Sequence, residues 1–439
     1  MRRINLTENL IYLIFFYVII ETFFYPVARN VKVYGNFPRL ILFNYRFTIS
    51  EIIIFCFILV YFILLMLKII KSGKVNLGPK PAVFYILIII LLIFGSVLIG
   101  LFNKNELFFN DFRLMVFTLT LYVIFLNIDL SSRINVNIYN ILFYSSIIFT
   151  LANIITWLKP NFHIISSSNF SNIYTLTYSV FLFNISLSRI IFKKFSVYYF
   201  LLMFFSSAII ILNIINKTMV FSLFVSIMLF ILMTIYSISK KELKLNKFII
   251  ILLIILLSTL AFTSLSSSIK EDMYEKYKYK YLNIGRGSEG DLSTGRFDIW
   301  KAYLNESIKG LGVSRYGLGY EYTIVVHKMK HINVGEHNIL VYFALQFGCI
   351  SAVCLIFLIL MFFYKGFSFF IRHSYNKKVF FEEYQMIGIF IFLVSQISIN
   401  MTGLRLADVR TAWIFWFLLT ILLKQWRLIE RNEIKKQKN

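Results

Sequence analysis

Long apolar runs separated by short polar segments are the main feature of this sequence. A membrane-spanning helix needs roughly 20 mostly apolar residues, and about twelve runs reach that length. Hydrophobic residues make up 59% of the chain and charged residues only 15%. Because a soluble domain cannot bury so much apolar surface, the pattern predicts an all-α, polytopic integral membrane protein with about 12 transmembrane helices.

The predicted spans divide the chain into three parts. They lie near 9–27, 51–70, 82–103, 110–128, 137–158, 170–190, 196–214, 218–237, 248–266, 338–363, 385–403 and 408–424. The first run lacks a small-residue cleavage site, so it is predicted to be a retained span and not a signal peptide. Helices 1–9 then fill residues 1–266, one long loop fills 267–337, and helices 10–12 with a basic cytoplasmic tail fill 338–439.

The basic residues are distributed unevenly between the short loops. With the N-terminus inside, the inner segments carry 24 lysines and arginines, whereas the short outer loops carry nine. Because basic residues concentrate in cytoplasmic loops, both termini are predicted to be cytoplasmic and the long loop extracytoplasmic. The net charge of +24 resides largely in these short clusters, which argues against a nucleic-acid partner.

The loop at 267–337 is the one long polar segment of the chain. It holds 9 of the 21 acidic residues, three of the five histidines and the glycine-rich stretch GLGVSRYGLG, which is predicted to let the loop turn tightly and move. In its stretch STGRFDIWKAYLNESI, the residues that share one helical face are Phe297, Trp300, Leu304 and Ile308. This spacing predicts an amphipathic helix on the outer membrane surface, and Trp300 and Tyr303 suit the membrane interface.

His337 and Arg296 are the two predicted catalytic residues. His337 lies where the chain returns to an apolar run, and an imidazole there can take a proton from a hydroxyl near neutral pH. The alternative is an interfacial histidine that only hydrogen-bonds the backbone. Arg296 opens the surface helix against the helix dipole, which suggests that its guanidinium grips an anion such as phosphate. The alternative is a solvated surface arginine.

Four further cations are predicted to bind substrate. Lys217 is nearly alone in a short outer turn, and Arg113 enters the fourth predicted span; Arg405 and Arg410 lie in the last outer loop. Ionisable groups at membrane depth are costly and usually have a purpose. The alternatives are snorkelling of Lys217 to the interface and a local pair between Arg113 and Asp111.

A metal site is not predicted. His327 and His331 stand four residues apart in HKMKH, which is a spacing that zinc ligands use. The stretch lacks the glutamate of HExxH, however, and its two lysines would repel a cation.

Three stretches of the sequence resemble the O-antigen polymerase and ligase family of bacterial cell-surface polysaccharide assembly. GRFDIWKAYLNESIKGLG has an arginine, a tryptophan four residues later and a downstream G-x-G. EHNILVYFALQFG has an H-N-x-x-L pattern with a glycine eleven residues after the histidine, and FTISEIII is similar to the family's early segment. The resemblance is best over about 198–360, and the plan of about 12 spans with one long outer loop is also similar.

The resemblance implies transfer of a glycan from a polyprenyl-pyrophosphate carrier to a sugar hydroxyl, outside the membrane and without a metal or other cofactor. Arg296 and Lys217 would then stabilise the diphosphate leaving group, and His337 would remove the acceptor proton. Many family members have Ser-Arg where this chain has Lys217, which lacks the two-pronged guanidinium. Membrane lipid, a flippase and a chain-length regulator would be the partners.

Several functions remain open on the sequence. The leading prediction is a polymerase of lipid-linked repeat units, which would build O-antigen, capsular polysaccharide or exopolysaccharide at the bacterial cytoplasmic membrane. An O-antigen ligase that transfers glycan to a lipid or other terminal acceptor shares the same motifs. Functions of other classes are a flippase or exporter of lipid-linked glycan, and a structural membrane subunit in which His337 and Arg296 would be dispensable.

Overall fold

Apolar helices make up most of the protein. The computed structural model describes residues 9–20, 40–42, 45–47, 49–112, 117–128, 131–158, 173–212, 217–240, 296–326, 329–332, 338–372, 381–400 and 409–438. The helices are α1 (Asn9–Ile20), α2 (Ile49–Ser72), α3 (Lys80–Phe102), α4 (Phe108–Asp111), α5 (Phe117–Asn127), α6 (Ser132–Leu158), α7 (Ile173–Phe192), α8 (Val197–Leu212), α9 (Lys217–Ser239), α10 (Arg296–Ile308), α11 (Ile339–Phe347), α12 (Cys349–Arg372), α13 (Glu383–Asn400) and α14 (Val409–Lys438).

Seven helices of the described part of the chain are long and apolar enough to cross a membrane. They are Ile52–Ser72, Lys80–Phe102, Arg133–Ile155, Thr175–Phe192, Thr218–Ser239, Cys349–Phe370 and Ala412–Glu430. These helices indicate a polytopic, membrane-embedded protein, as the apolar runs predicted. The predicted ninth span at 248–266 lies outside the described residues.

Two predicted spans differ from the structure, and the fourth, at 110–128, is described only in part. It includes the end of α4 and all of α5, and residues 113–116 between them lie outside the described residues. The tenth, at 338–363, is two helices, because Gly348 has a φ of +94° that a continuing helix cannot adopt. The last continues to Lys438, so the described part of the predicted basic tail is helical.

Two short antiparallel ribbons interrupt the helical architecture, and the sequence did not predict them. In the first, β1 (Leu40–Leu42) pairs with β2 (Tyr45–Phe47) just before α2. In the second, β3 (Thr323–Val326) pairs with β4 (Met329–Ile332) within the long loop. Strands of three or four residues carry too little alternating pattern to be recognised beside long apolar runs.

The centre of the bundle is formed by α7 and α13. Most of the side chains of both helices are buried, and α7 packs against α6, α8 and α13, while α9 packs against α13. The helices α3 and α12 pack together at the periphery and leave large apolar side chains exposed, including Phe84, Leu91 and Leu360. Exposed apolar faces of this length suit contact with lipid acyl chains.

Basic side chains join several segments at one end of the bundle. Lys424 donates to the carbonyl oxygens of Phe125 and Ile128 at the end of α5, where a cation complements the helix dipole. Elsewhere at this end, Arg427 donates to the carbonyl of Gly78 just before α3, and α7 is tied to the start of α13 by the ion pair between Lys193 and Glu382. The segments that these contacts join are all ones that the basic-residue pattern assigns to the cytoplasmic side.

Candidate functional site

The predicted site residues are described only in part. Arg296 is the first residue of α10, Lys217 the first residue of α9, and Arg410 the second residue of α14, and the side chains of all three lie outside the described part. His337, Arg113 and Arg405 lie entirely outside the described residues. The described elements that carry or adjoin these positions are α9, α10, α11 and α14.

The surface helix α10 packs against α11 through its own small apolar core. This second core contains the buried side chains of Ile299, Tyr303, Tyr322, Val341 and Leu345. The prediction that Tyr303 suits the membrane interface is wrong, because its side chain is fully buried against this core. The described part of the long loop and the apolar segment after it thus share one folded unit.

The outer face of α10 agrees with the predicted amphipathic pattern. Phe297 is 69% exposed, and Leu304 and Ile308 are also exposed, at spacings of seven and four residues that keep them on one side of the helix. The same apolar surface continues through Leu311, just past the end of α10, to Ile350 near the start of α12. A surface of this kind fits a helix lying in the membrane interface.

The helices α10 and α11 run in the same direction. Just past their C-terminal ends, the Ile350 N–H donates to the carbonyl of Gly312 at 3.2 Å. Their shared core includes Ile299 from the first turn of α10 and Val341 from the first turn of α11. At about 1.5 Å per residue, the two helices differ in length by only about 6 Å, so their N-terminal ends lie on the same side of this core.

Asn338 caps the N-terminus of α11. Its Oδ1 accepts hydrogen bonds from the N–H groups of Leu340 at 2.9 Å and Val341 at 3.4 Å. An asparagine at this position satisfies helix N–H groups that otherwise have no partner. His337 directly precedes this cap in the sequence.

An apolar cleft of about 1120 Å³ begins beside the same helix end. Ile339 and Phe343 from the first half of α11 line one part of it, and α3, α12 and α14 form its long walls. It extends towards the end of the bundle where α3 begins, and there its lining includes Lys365 and Glu430, which form an ion pair at 3.5 Å. The N-terminal half of α11, which carries the positive end of the helix dipole, therefore lies beside one end of this apolar cleft.

The glycine-rich stretch of the long loop docks directly on the end of α3. Gly317 has a φ of +79°, and a Cβ on it would overlap the backbone of Gly100. Gly319 has a φ of +77°, and a Cβ there would overlap the backbone of Phe108 in α4. These glycines make the tight turns that the sequence predicted, and they also let two backbones approach more closely than any side chain would allow.

Polar side chains satisfy the backbone of this docked stretch. The Asn105 side-chain amide donates to the carbonyls of Tyr316 and Leu318, each at 2.9 Å. The Gly319 N–H donates to Oε1 of the fully buried Gln346 at 2.9 Å, and the Leu318 N–H donates to the carbonyl of Ser96 at 2.9 Å.

Because Ser96 lies inside the membrane-length helix α3, the docked stretch reaches below the helix end. Irregular backbone is tolerated at that depth only when protein groups pair with it. The sequence did not predict Asn105, Gln346 or Ser96 as site residues. The available signal was a lone glutamine inside the apolar stretch EHNILVYFALQFG.

No group of three or more His, Cys, Asp or Glu side chains is placed to hold a metal ion in the part of the chain that the structure describes. Asp111, which the sequence paired with Arg113, is a buried residue at the end of α4. No family model matches the chain, and no curated protein matches it.

Proposed function

We propose that this chain is a membrane glycosyltransferase that polymerises polyprenyl-pyrophosphate-linked oligosaccharide repeat units. The reaction would take place at the outer face of a bacterial cytoplasmic membrane and build O-antigen, capsular polysaccharide or exopolysaccharide. The observation that carries the proposal is the apolar cleft beside the capped N-terminus of α11. A lipid with a long apolar tail and an anionic head needs a channel that is apolar along its length and positive at one end.

The proposed chemistry uses the two positions at the N-terminal ends of α10 and α11. The acceptor hydroxyl oxygen attacks the anomeric carbon of the donor glycan, and the bond from that carbon to the diphosphate oxygen breaks. Arg296 binds the diphosphate, which takes the electron pair of the broken bond, and His337 accepts the proton of the hydroxyl. Lys217, Arg113, Arg405 and Arg410 are the further candidates for contacts with the anionic donor.

The lining of the cleft favours a transferase over an exporter. A protein that moves a glycan across the bilayer needs a polar path, yet the walls of this cleft are mostly Ile, Leu and Phe side chains. Asp111 is the single charged side chain that is buried among the described residues, and it is not part of the lining. The apolar lining of this cleft therefore supports a site for a lipid tail more than a path for sugars.

The proposal is tested by glycan analysis in cells that lack this protein. Complementation with the wild-type chain is expected to restore long glycan chains, whereas His337→Ala and Arg296→Ala should leave single repeat units on the final acceptor. Matched controls are His331→Ala in the same loop and Lys301→Ala on an exposed position of α10, which should both act like wild type. Membrane expression of every variant is measured by immunoblot.

Two other results would overturn the polymerase proposal. If polymer accumulates on the lipid carrier in cells that lack the protein, and never reaches its final acceptor there, the protein is a ligase. If His337→Ala and Arg296→Ala both restore long chains like wild type, the two residues are not catalytic, and an exporter or a structural role accounts better for the chain.

A further inference from the structure

Three tyrosines of the docked loop form a compact aromatic group, here called the tyrosine platform: Tyr316, Tyr320 and Tyr322. The rings of Tyr316 and Tyr320 are stacked, with centroids 4.1 Å apart and planes 19° apart. The Tyr322 ring meets the Tyr320 ring edge to face at 4.9 Å. Stacked and edge-to-face contacts of this kind hold the rings in a defined arrangement.

Hydrogen bonds hold the tyrosine platform at two of its residues. The carbonyl of Tyr316 accepts hydrogen bonds from the side-chain amides of Asn103 and Asn105. The Tyr322 hydroxyl donates to the carbonyl of Leu345 in α11 at 3.1 Å. The platform is therefore rigid before any ligand arrives, which reduces the entropy that binding would cost.

The outer two tyrosines are not core residues. The Tyr316 and Tyr320 side chains remain partly exposed, whereas Tyr322 is buried. The hydroxyls of Tyr316 and Tyr320 make no hydrogen bond to any residue that the structure describes. The exposed Arg315 guanidinium lies over the Tyr316 ring, 5.0 Å from its centroid.

The platform lies beside the proposed catalytic unit. Tyr316 and Tyr320 pack against the second core, which joins α10 to α11. The two asparagines that hold the platform directly follow α3, so it stands at the level where this apolar helix ends. At this level Tyr316 and Tyr320 are partly exposed and Arg315 is exposed.

We propose that the tyrosine platform and Arg315 form a carbohydrate-binding subsite that holds the acceptor glycan. The C–H groups of a pyranose ring carry partial positive charge and are attracted to the electron-rich face of a tyrosine ring. The tyrosine hydroxyls and the guanidinium then bond the sugar hydroxyls, or a carboxylate where the sugar is acidic. This inference rests on the proposed function, because it supplies the acceptor side of the same reaction.

The test measures binding without turnover. The full chain is placed in lipid nanodiscs and titrated with soluble oligosaccharides, which are released by mild acid from the lipid-linked pool of the host cells. In saturation-transfer NMR, magnetisation is expected to pass to the pyranose ring protons. Tyr320→Ala should weaken binding about tenfold, through the loss of one ring and one hydroxyl. Tyr144→Ala, at an exposed tyrosine of α6, should bind like wild type.

A second variant keeps the test decisive if Tyr320→Ala does not fold. The double variant Tyr316→Phe with Tyr320→Phe retains both rings and removes only the hydroxyls, and it should weaken binding about threefold to tenfold. Unchanged affinity in this double variant, or in a folded Tyr320→Ala variant, would overturn the subsite. An absence of saturation transfer in the wild-type chain would also overturn it.

The outcome is separable from that of the polymerase proposal. If the wild-type chain restores long glycans in cells and Tyr320→Ala binds oligosaccharide normally, the subsite is wrong and the polymerase stands. If Tyr320→Ala loses binding while cells without the protein make glycans of normal length, the subsite stands and the polymerase is wrong.

Discussion

A methyl group added at Gly317 would prevent the glycine-rich stretch from docking on α3. Gly317 combines a positive φ with direct contact to the α3 backbone, whereas Gly73, with a φ of +62°, has no atom near its missing Cβ. Gly73→Ala should therefore lower the free energy of unfolding by about 1 kcal/mol, from backbone strain alone. Gly317→Ala should lower it by about 3 kcal/mol or more, because steric overlap adds to the strain.

The comparison is made by chemical unfolding of both variants in mixed detergent micelles. Equal destabilisation by Gly73→Ala and Gly317→Ala would mean that the loop does not rest on α3 as described. Both glycine-to-alanine substitutions change the unfolded chain in the same way. The difference between their free energies of unfolding therefore reports the contact of Gly317 with α3.

The residue types of the candidate site were easier to predict than their partners. Arg296 was predicted to open the surface helix, and it is the first residue of α10. The contacts of Gln346 and Asn105 with the glycine-rich stretch could not be predicted, since the residues they join are 27 and more than 200 positions apart. Sequence periodicity reports only neighbours within one element.

At the scale of single elements, α11 is the helix on which the proposed site depends most. Substitutions of its cap residue Asn338 can distinguish an effect on stability from an effect on activity. Asn338→Ser keeps a neutral cap and should leave both nearly unchanged. Asn338→Asp also caps the helix, but its carboxylate should repel an anionic donor. We expect this variant to unfold like wild type and to lose chain lengthening.

For the Asn338 variants, stability is measured by unfolding in micelles, and activity is measured as glycan length in complemented cells. An Asn338→Asp variant that lengthens chains as well as Asn338→Ser would contradict the idea that an anion binds at this helix end. Asn338→Ala, which should cost about 1 kcal/mol, shows the loss expected when the cap itself is removed.

The division between α11 and α12 explains why the tenth predicted span was wrong. The segment 338–363 is apolar almost throughout, so its hydropathy contains no break. Gly348 is the one local signal, and a single glycine is often tolerated inside a helix. The break depends on the contact of Gly348 with Val313, which belongs to a different part of the chain.

At the scale of the whole molecule, the basic-residue pattern predicts which loops face the cytoplasm. In a chain whose native cysteines are replaced, a membrane-impermeant maleimide should label Lys309→Cys on intact cells and should not label Lys74→Cys. Both positions are exposed, and both should react once the membrane is permeabilised. The reverse labelling pattern would place the α10–α11 unit in the cytoplasm and exclude the proposed reaction.

The membrane class of the fold followed from composition, because apolar runs of this length have few other uses. The cleft could not be predicted in the same way. Its walls come from α3, α12 and α14, and the spacing between helices depends on tertiary packing that no single run encodes.

The most direct test of the central claim is a reconstituted reaction. Purified wild-type chain is placed in liposomes that contain only the lipid-linked repeat unit of its host, and the products are separated by size on a gel. We expect a ladder of longer lipid-linked glycans together with free polyprenyl diphosphate, and no ladder with His337→Ala. Repeat units that stay single with folded wild-type chain would contradict the claim that this protein is a polymerase.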